Sequence, residues 1–199
     1  MDGSIVIKVW SVLVSFVVLA LCVAKPVVGE ELSILQSDDG NSVTLSIDPA
    51  SEISAELVQL GAENQFQIVG SGELSASIFQ LGEAGTIFLN TSGERQTLDL
   101  LQSGLGNSIS ADLHGAMASV DILQDGTDNE LVYENFGYDN VSIVVQSGNN
   151  NVLNLSQTGD RNTANVEQRG SGNRLDIRQQ GEMSVSITQN GSNEAITVF

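Results

Sequence analysis

The sequence predicts an all-β solenoid, built from short strands and turns that coil and stack. A repeat predicts it most directly, because glutamines recur eleven residues apart at Gln146, Gln157, Gln168 and Gln179. Asparagine follows five residues after the first three of them, and glycine lies two residues after each. Such a fixed short period is typical of architectures in which one repeat cannot bury its apolar face alone. Two strand-turn units make one coil of about 22 residues.

Each unit is interpreted as one strand followed by one turn. Between Asn151 and Gln157, the apolar Leu153 and Leu155 lie two residues apart, and residues an even number apart share one face of a strand. The five-residue step from Gln to Asn would reverse the face of a straight strand, so the sequence predicts a tight turn there. Glycine accepts the positive φ that such a turn requires. The turn glycines of the best-formed units are Gly104, Gly126, Gly148, Gly159, Gly170 and Gly181.

Stacked coils would place like residues above one another inside the solenoid. Stacked Gln and Asn side chains are expected to form amide ladders, each donating to one neighbouring coil and accepting from the other. Both ends of such a ladder would lack partners and would template another copy. Monomeric solenoids need a polar terminal cap, and the sequence shows none after its last strand pattern. The predicted self-assembly ladder consists of Gln59, Asn64, Gln80, Gln102, Asn107, Gln124, Asn129, Gln146, Asn151, Gln157, Asn162, Gln168, Asn173, Gln179 and Gln189.

Composition argues against several functions. The 199 residues include 25 acidic and 7 basic side chains, and the pI is near 4.1. Such an acidic surface opposes nucleic-acid binding, which requires basic residues. The single histidine, His114, has no second histidine or suitable cysteine to complete a metal site. Because no nucleophile–base set or phosphate-binding loop is present either, the sequence predicts neither an enzyme nor a cofactor.

Residues 1–29 are predicted to be a secretory signal peptide. Lys8 precedes an apolar run of 15 residues, whereas a membrane-spanning helix needs about 20. Cleavage is placed after Gly29, with cleavage after Ala24 as the alternative. Removing residues 1–29 leaves 24 acidic and 5 basic residues, because Asp2, Lys8 and Lys25 are lost.

The rest of the chain is divided into two parts. Residues 30–58 are interpreted as an N-terminal leader with one degenerate repeat, in which Gln36 and Asn41 keep the five-residue step. Residues 59–199 are predicted to form the solenoid domain, with about six coils.

Two local features leave alternatives open. Val141, Ile143 and Val145 would make one outer face apolar, either as a lateral contact or because the strand register changes there. Four of the five basic residues that remain after cleavage cluster near the C-terminus. They either offset nearby acids or anchor this end to an anionic surface; they are Arg161, Arg169, Arg174 and Arg178.

The motif Gln-x4-Asn-x5-Gln, with glycine two after the first Gln, resembles the curlin repeat of curli amyloid subunits. The stretches QTGDRNTANVEQ and QRGSGNRLDIRQQG are similar to the minor, nucleating subunit. Positions 70, 91, 113 and 135 depart from the motif because they lack Gln. The resemblance implies secretion by an outer-membrane machinery, extracellular fibres for biofilm and adhesion, and copies of itself and a second curlin subunit as partners. The alternative function is a monomeric secreted β-solenoid adhesin that binds a surface ligand.

Overall fold

The computed structural model describes residues 18–23, 31–47, 53–71 and 74–199. Within these ranges the chain forms 17 strands and no helix. Sheet A contains β1 (Val18–Val23), β3 (Ser42–Ile47), β5 (Gln65–Ser71), β7 (Thr86–Ser92), β9 (Ser108–Ala116), β11 (Glu130–Tyr138), β13 (Val152–Thr158), β15 (Arg174–Gln180) and β17 (Ala195–Val198). Sheet B contains β2 (Glu31–Ser37), β4 (Ile53–Leu60), β6 (Leu74–Glu83), β8 (Gln96–Leu105), β10 (Ser119–Thr127), β12 (Val141–Asn149), β14 (Thr163–Ser171) and β16 (Ser184–Ser192).

Successive strands alternate between the two sheets, so each coil contributes one strand to each. Every strand pairs in parallel with the strand of the next coil, as Gln124 with Gln146 in sheet B and Leu131 with Leu153 in sheet A. The stack has about seven coils, roughly 22 residues apart along the chain. The predicted β-solenoid of strand-turn-strand coils is therefore confirmed.

The core lies between the two sheets and follows from the alternation of side chains along each strand. Leu153 and Leu155 of β13 are buried, as are Ala164 and Val166 of β14, while the residues between them face outward. Stacking repeats this arrangement in each coil, so the aliphatic side chains form one continuous core. The sequence pattern thus places two apolar residues of most strands inside, next to the buried Gln and Asn positions, and leaves the alternate residues facing outward.

The N-terminal strands continue the same stack. Strands β2 and β3 pair in register with β4 and β5, and Gln36 lies opposite Gln59. Residues 31–47 therefore have the geometry of a coil. Most of the predicted signal segment 1–29 lies outside the described residues, and Val18–Val23 forms β1 beside β3.

The apolar face at β12 does not arise from a change of register. Val141 pairs with Ser119 and Thr163, in step with the rest of sheet B. Ser142 consequently points inward and is buried, whereas Ile143 is 43% exposed. Of the two alternatives for this segment, the register change is wrong.

Among the residues that the structure describes, no helix is long and apolar enough to cross a membrane.

Candidate functional site: the buried amide columns

All fifteen predicted ladder residues lie inside the solenoid and are at most 2% exposed. They form separate columns, because the two strands of each coil end in different turns. The glutamines that precede the turns of sheet B form one unbroken column, which we call the first amide column. It contains Gln36, Gln59, Gln80, Gln102, Gln124, Gln146, Gln168 and Gln189.

Within the first amide column, each Nε2 donates to the Oε1 of the glutamine in the following coil. The distances are 2.9 Å from Gln102 to Gln124 and 2.8 Å from Gln124 to Gln146. The second Nε2 proton of Gln124 is donated to the backbone carbonyl of Ser108 at 3.1 Å. The Gln side chains thus show the expected geometry, in which each donates toward one end of the stack and accepts from the other.

The two ends of the first amide column differ. Gln36 donates to Gln59 at 2.6 Å, but its own Oε1 is buried and has no partner. At the other end, Nε2 of Gln189 donates to the backbone carbonyl of Glu194 at 2.9 Å. The expectation that both ends lack partners is therefore wrong for the C-terminal end, because the chain's own last turn supplies a carbonyl there.

A second amide column in sheet A contains only Gln157 and Gln179, which are joined by a 2.9 Å hydrogen bond. In the preceding coils, Leu113 and Thr91 fill the same position and are buried. The glutamine ladder is therefore absent from this corner in these two coils, where an aliphatic and a hydroxyl side chain stand instead.

The start of the second amide column is closed by hydroxyl groups. Oε1 of Gln157 accepts hydrogen bonds from Tyr133 Oη and Ser142 Oγ, both at 2.8 Å. Burial raises the pKa of Tyr133, so its hydroxyl stays protonated and able to donate. The neighbouring Asn135 keeps a buried Nδ2 without a partner, although its Oδ1 accepts from Asn140 at 2.6 Å. Only the structure reveals this closure, because Ser142 and Tyr133 come from different sheets.

The asparagines act mainly on the backbone. Nδ2 of Asn151 donates to Ser147 O at 3.1 Å within its own turn and to Gly170 O at 2.9 Å in the next coil. Its Oδ1 accepts the backbone N–H of Asn173 at 3.1 Å. Side-chain bonds between asparagines occur as well, as from Asn151 to Asn129 at 3.1 Å. Asparagine side chains thus form part of the expected ladder, in the three steps from Asn129 to Asn107, from Asn151 to Asn129 and from Asn162 to Asn140, and they also join the turns of successive coils.

Gln96 is a buried amide that the sequence reasoning missed. It stands where other units carry Asn, and its Nε2 donates to Leu113 O at 3.1 Å and Gly115 O at 3.2 Å. Its Oε1 is buried without a partner. Its position three residues after Gly93 is the signal that would have found it.

Four of the six predicted turn glycines, Gly104, Gly126, Gly148 and Gly170, are required by close approach as much as by φ. The six predicted ones have φ values from 61° at Gly181 to 119° at Gly126. A Cβ on Gly126 would lie 2.0 Å from the carbonyl oxygen of Gly148 in the next coil. A second left-handed position follows two residues later, as at Asp128 with φ 51° and Asn150 with φ 54°. Asp, Asn or Gly fills this position in some coils and tolerates positive φ, whereas residues such as Ala84, Arg95 and Met117 fill it in others, so the signal in the sequence was only partial.

Each of the four clustered arginines contacts a residue of its own chain. Arg161 pairs with Glu182, and Arg169 pairs with Glu167. Arg174 pairs with Asp176 at 2.9 Å, and the guanidinium of Arg178 lies 5.5 Å from the ring centre of Phe199. These contacts support the alternative in which the arginines offset nearby acids. Anchoring to an anionic surface stays a prediction.

Asp176 is the carboxylate most affected by these contacts. Hydrogen bonds from Asn154 and Arg174 lower the pKa of Asp176, outweighing a smaller opposing effect of partial burial. The charged form is therefore favoured in the folded chain.

His114 lies on the surface with its ring stacked on Phe136 at 5.2 Å between centroids. It also contacts Ser92, and its Nε2 is 3.9 Å from Asp112. No group of three potential metal ligands occurs in residues 18–23, 31–47, 53–71 and 74–199.

Comparison with known proteins gives one family. Residues 148–181 match the family model described as curlin associated repeat. Neither a curated protein nor a solved structure matches the chain. The matched segment contains Gln157 and Gln179, which stack in the second amide column, and Gln168, which stacks on Gln189 in the first. The chain thus contains a curlin associated repeat at residues 148–181, and this repeat lies within a solenoid of 22-residue coils.

Proposed function

We propose that this chain is a structural subunit of curli-like extracellular amyloid fibres and assembles by stacking copies head to tail. Curlin repeats belong to structural amyloid subunits rather than to enzymes, and the β-solenoid fits such a subunit. The observation that carries the proposal is the buried, unpartnered Oε1 of Gln36 at one end of the first amide column. An unpaired buried acceptor costs roughly 1–3 kcal/mol, which another copy would relieve.

The order of strands defines the junction. Sheet B ends in β2 and β16, and sheet A has β17 at its C-terminal end. In a head-to-tail contact, β16 of one copy would pair with β2 of the next, and β17 would pair with β3. Gln189 Nε2 would then donate to Gln36 Oε1 instead of to Glu194 O. The parallel ladders and the amide column would continue across the junction with no new type of contact.

Export and localisation complete the proposal. Residues 1–29 act as the signal peptide, and the fibre forms outside the cell after an outer-membrane machinery has exported the chain. Copies of the same chain and a second curlin subunit are the partners. The closeness of residues 157–181 to the minor subunit supports a nucleating role, in which this chain starts fibres that the second subunit extends.

The competing function is a monomeric secreted adhesin, and one observation favours it. The hydrogen bond from Gln189 to Glu194 O already satisfies one end of the first amide column within a single chain. A dilution series of the purified 30–199 chain separates the two functions. Self-assembly predicts thioflavin-positive filaments whose lag shortens with concentration, and electron diffraction should show a repeat of about 4.8 Å along the axis. A chain that remains monomeric throughout the series contradicts the proposal.

A further inference from the structure

Sheet B carries an apolar column on its outer face. The residue just before each glutamine of the first amide column points away from the core, and in six successive coils it is aliphatic or aromatic. These residues stack in register from β2 to β12. We call this column the outer stripe; it consists of Leu35, Val58, Phe79, Leu101, Leu123 and Val145.

The outer stripe is separate from the core. None of its six side chains belongs to the buried core cluster. Five of them are partly exposed. Val58 lies between Leu35 and Phe79 and is only 9% exposed. Leu60, 37% exposed, and Ile143, 43% exposed, widen the apolar surface on either side. The apolar patch that the sequence showed only at β12 is therefore the last part of a surface that starts at β2.

Neighbouring columns leave this surface open to a flat partner. The column at the start of the sheet B strands carries small hydroxyl residues, as at Ser75, Thr97 and Ser119. The column between it and the outer stripe carries Asp99 and Asp121, which are exposed carboxylates. A flat apolar strip fits another sheet face, because sheets pack about 10 Å apart with interdigitated side chains.

The area of the outer stripe is too small for two single copies to form a stable lateral contact. Six strands about 4.8 Å apart give a strip about 24 Å long, and a width of about 10 Å gives about 240 Å². A stable interface buries about 800 Å² per partner, so one pair of monomers has too little surface. Head-to-tail stacking repeats the stripe in every subunit, and the contact between two filaments then adds along their length.

We propose that the outer stripe joins two filaments face to face, with each stripe packed on the same stripe of the neighbouring filament. This inference rests on the proposed self-assembly. The occupant is a second copy because both surfaces then share the same spacing between coils, so the ladders interdigitate along the whole length. Asp99 and Asp121 bring like charges close to the contact, so pairing increases as salt screens them.

The test compares two double variants of the 30–199 chain. The first, Leu101→Thr with Leu123→Thr, makes the outer stripe polar while keeping strand-forming residues. The matched control, Val132→Thr with Val152→Thr, changes two partly exposed outward valines on sheet A. Axial growth is followed by pelleting of seeded reactions, because a dye could itself bind the stripe. Lateral pairing is followed by mass per length in scanning transmission electron microscopy.

One solenoid of this composition has about 5 kDa per nanometre, from about 4.8 Å per coil, and a pair has about 10 kDa per nanometre. The parent and the control should give the paired value at 300 mM salt, whereas the stripe variant should give half of it at an unchanged elongation rate. Parent filaments with the single value, or an unchanged paired value in the stripe variant, would overturn the inference and leave self-assembly standing.

Two further outcomes are informative. If the parent forms no filaments, both the proposed function and this inference fail. If the stripe variant loses flotation with neutral phosphatidylcholine vesicles and keeps the paired mass per length, the stripe contacts a lipid surface instead of a second filament. That result also overturns the inference.

Discussion

Gln36 donates its Nε2 to Gln59 at 2.6 Å and keeps its own Oε1 buried without a partner. Every later glutamine of the first amide column accepts a hydrogen bond from the coil before it, so Gln36 is the one unsatisfied acceptor of that column. This relationship gives the described solenoid a polarity. One end presents a buried acceptor, and the other end presents a donor that Glu194 O occupies.

An interior glutamine should matter far more for stability than an outward one. Gln102→Leu removes the partner of Gln80 Nε2 and of Gln124 Oε1, both at 2.9 Å. Each buried group left unpaired should cost roughly 1–3 kcal/mol of the free energy of unfolding. Gln67→Leu, at an exposed position of β5, is the matched control and should change it by less than about 0.5 kcal/mol. Urea titration of the monomer at low salt measures both free energies of unfolding. Equal losses in the two variants would contradict the view that the amide column stabilises the fold.

Two glycines should respond differently to the same substitution. A Cβ on Gly126 would lie 2.0 Å from the Gly148 carbonyl oxygen, whereas a Cβ on Gly181 would meet nothing within 4 Å. Gly181→Ala should cost only the penalty of a left-handed alanine, about 1–2 kcal/mol. Gly126→Ala adds a clash between stacked backbones, so its urea midpoint should fall well below that of Gly181→Ala. Similar urea midpoints for the two variants would mean that the positive φ, and not the close approach of the next coil, is why position 126 requires glycine.

Stacked acids should slow assembly. Asp99 lies in register with Asp121, and two unit charges about 4.8 Å apart in water repel by about 0.9 kcal/mol. The double variant Asp99→Asn with Asp121→Asn should therefore shorten the lag at 10 mM salt and respond less to 300 mM salt than the parent.

The control for this charge effect is Glu130→Gln, because the in-register neighbours of Glu130 are the uncharged Ser108 and Val152. It should leave the lag close to that of the parent. Equal shortening in both variants would attribute the effect to net charge rather than to the stacked pair.

The segment containing β1 should inhibit growth while it is attached. Strand β1 pairs with β3, on the edge that β17 of another copy would occupy in a head-to-tail junction. The full chain should therefore seed 30–199 monomer more slowly than 30–199 seeds do, with growth measured by pelleting. The 25–199 chain also lacks β1 and is the control, so it should seed like 30–199. Full-length seeds that work equally well would show that β1 leaves the edge free.

Much of the fold follows from the repeat itself. The spacing of Gln157, Leu153 and Leu155 fixes which side chains share a strand face, and Gly159 fixes where the strand must turn. Because these are local consequences of backbone geometry, the β-solenoid, its coil of about 22 residues and the burial of the predicted amides could be derived before any contact was known.

Other features depend on which residues stacking brings together, and these only the tertiary structure decided. Gln36 joined the first amide column, although the sequence placed it in a leader, because its strand pairs in register with Gln59. Nε2 of Gln189 is not free, because it donates a hydrogen bond to Glu194 O in the last turn of the chain. The outer stripe escaped sequence analysis because its members lie 21 to 23 residues apart and become neighbours only when parallel strands align Leu101 with Leu123.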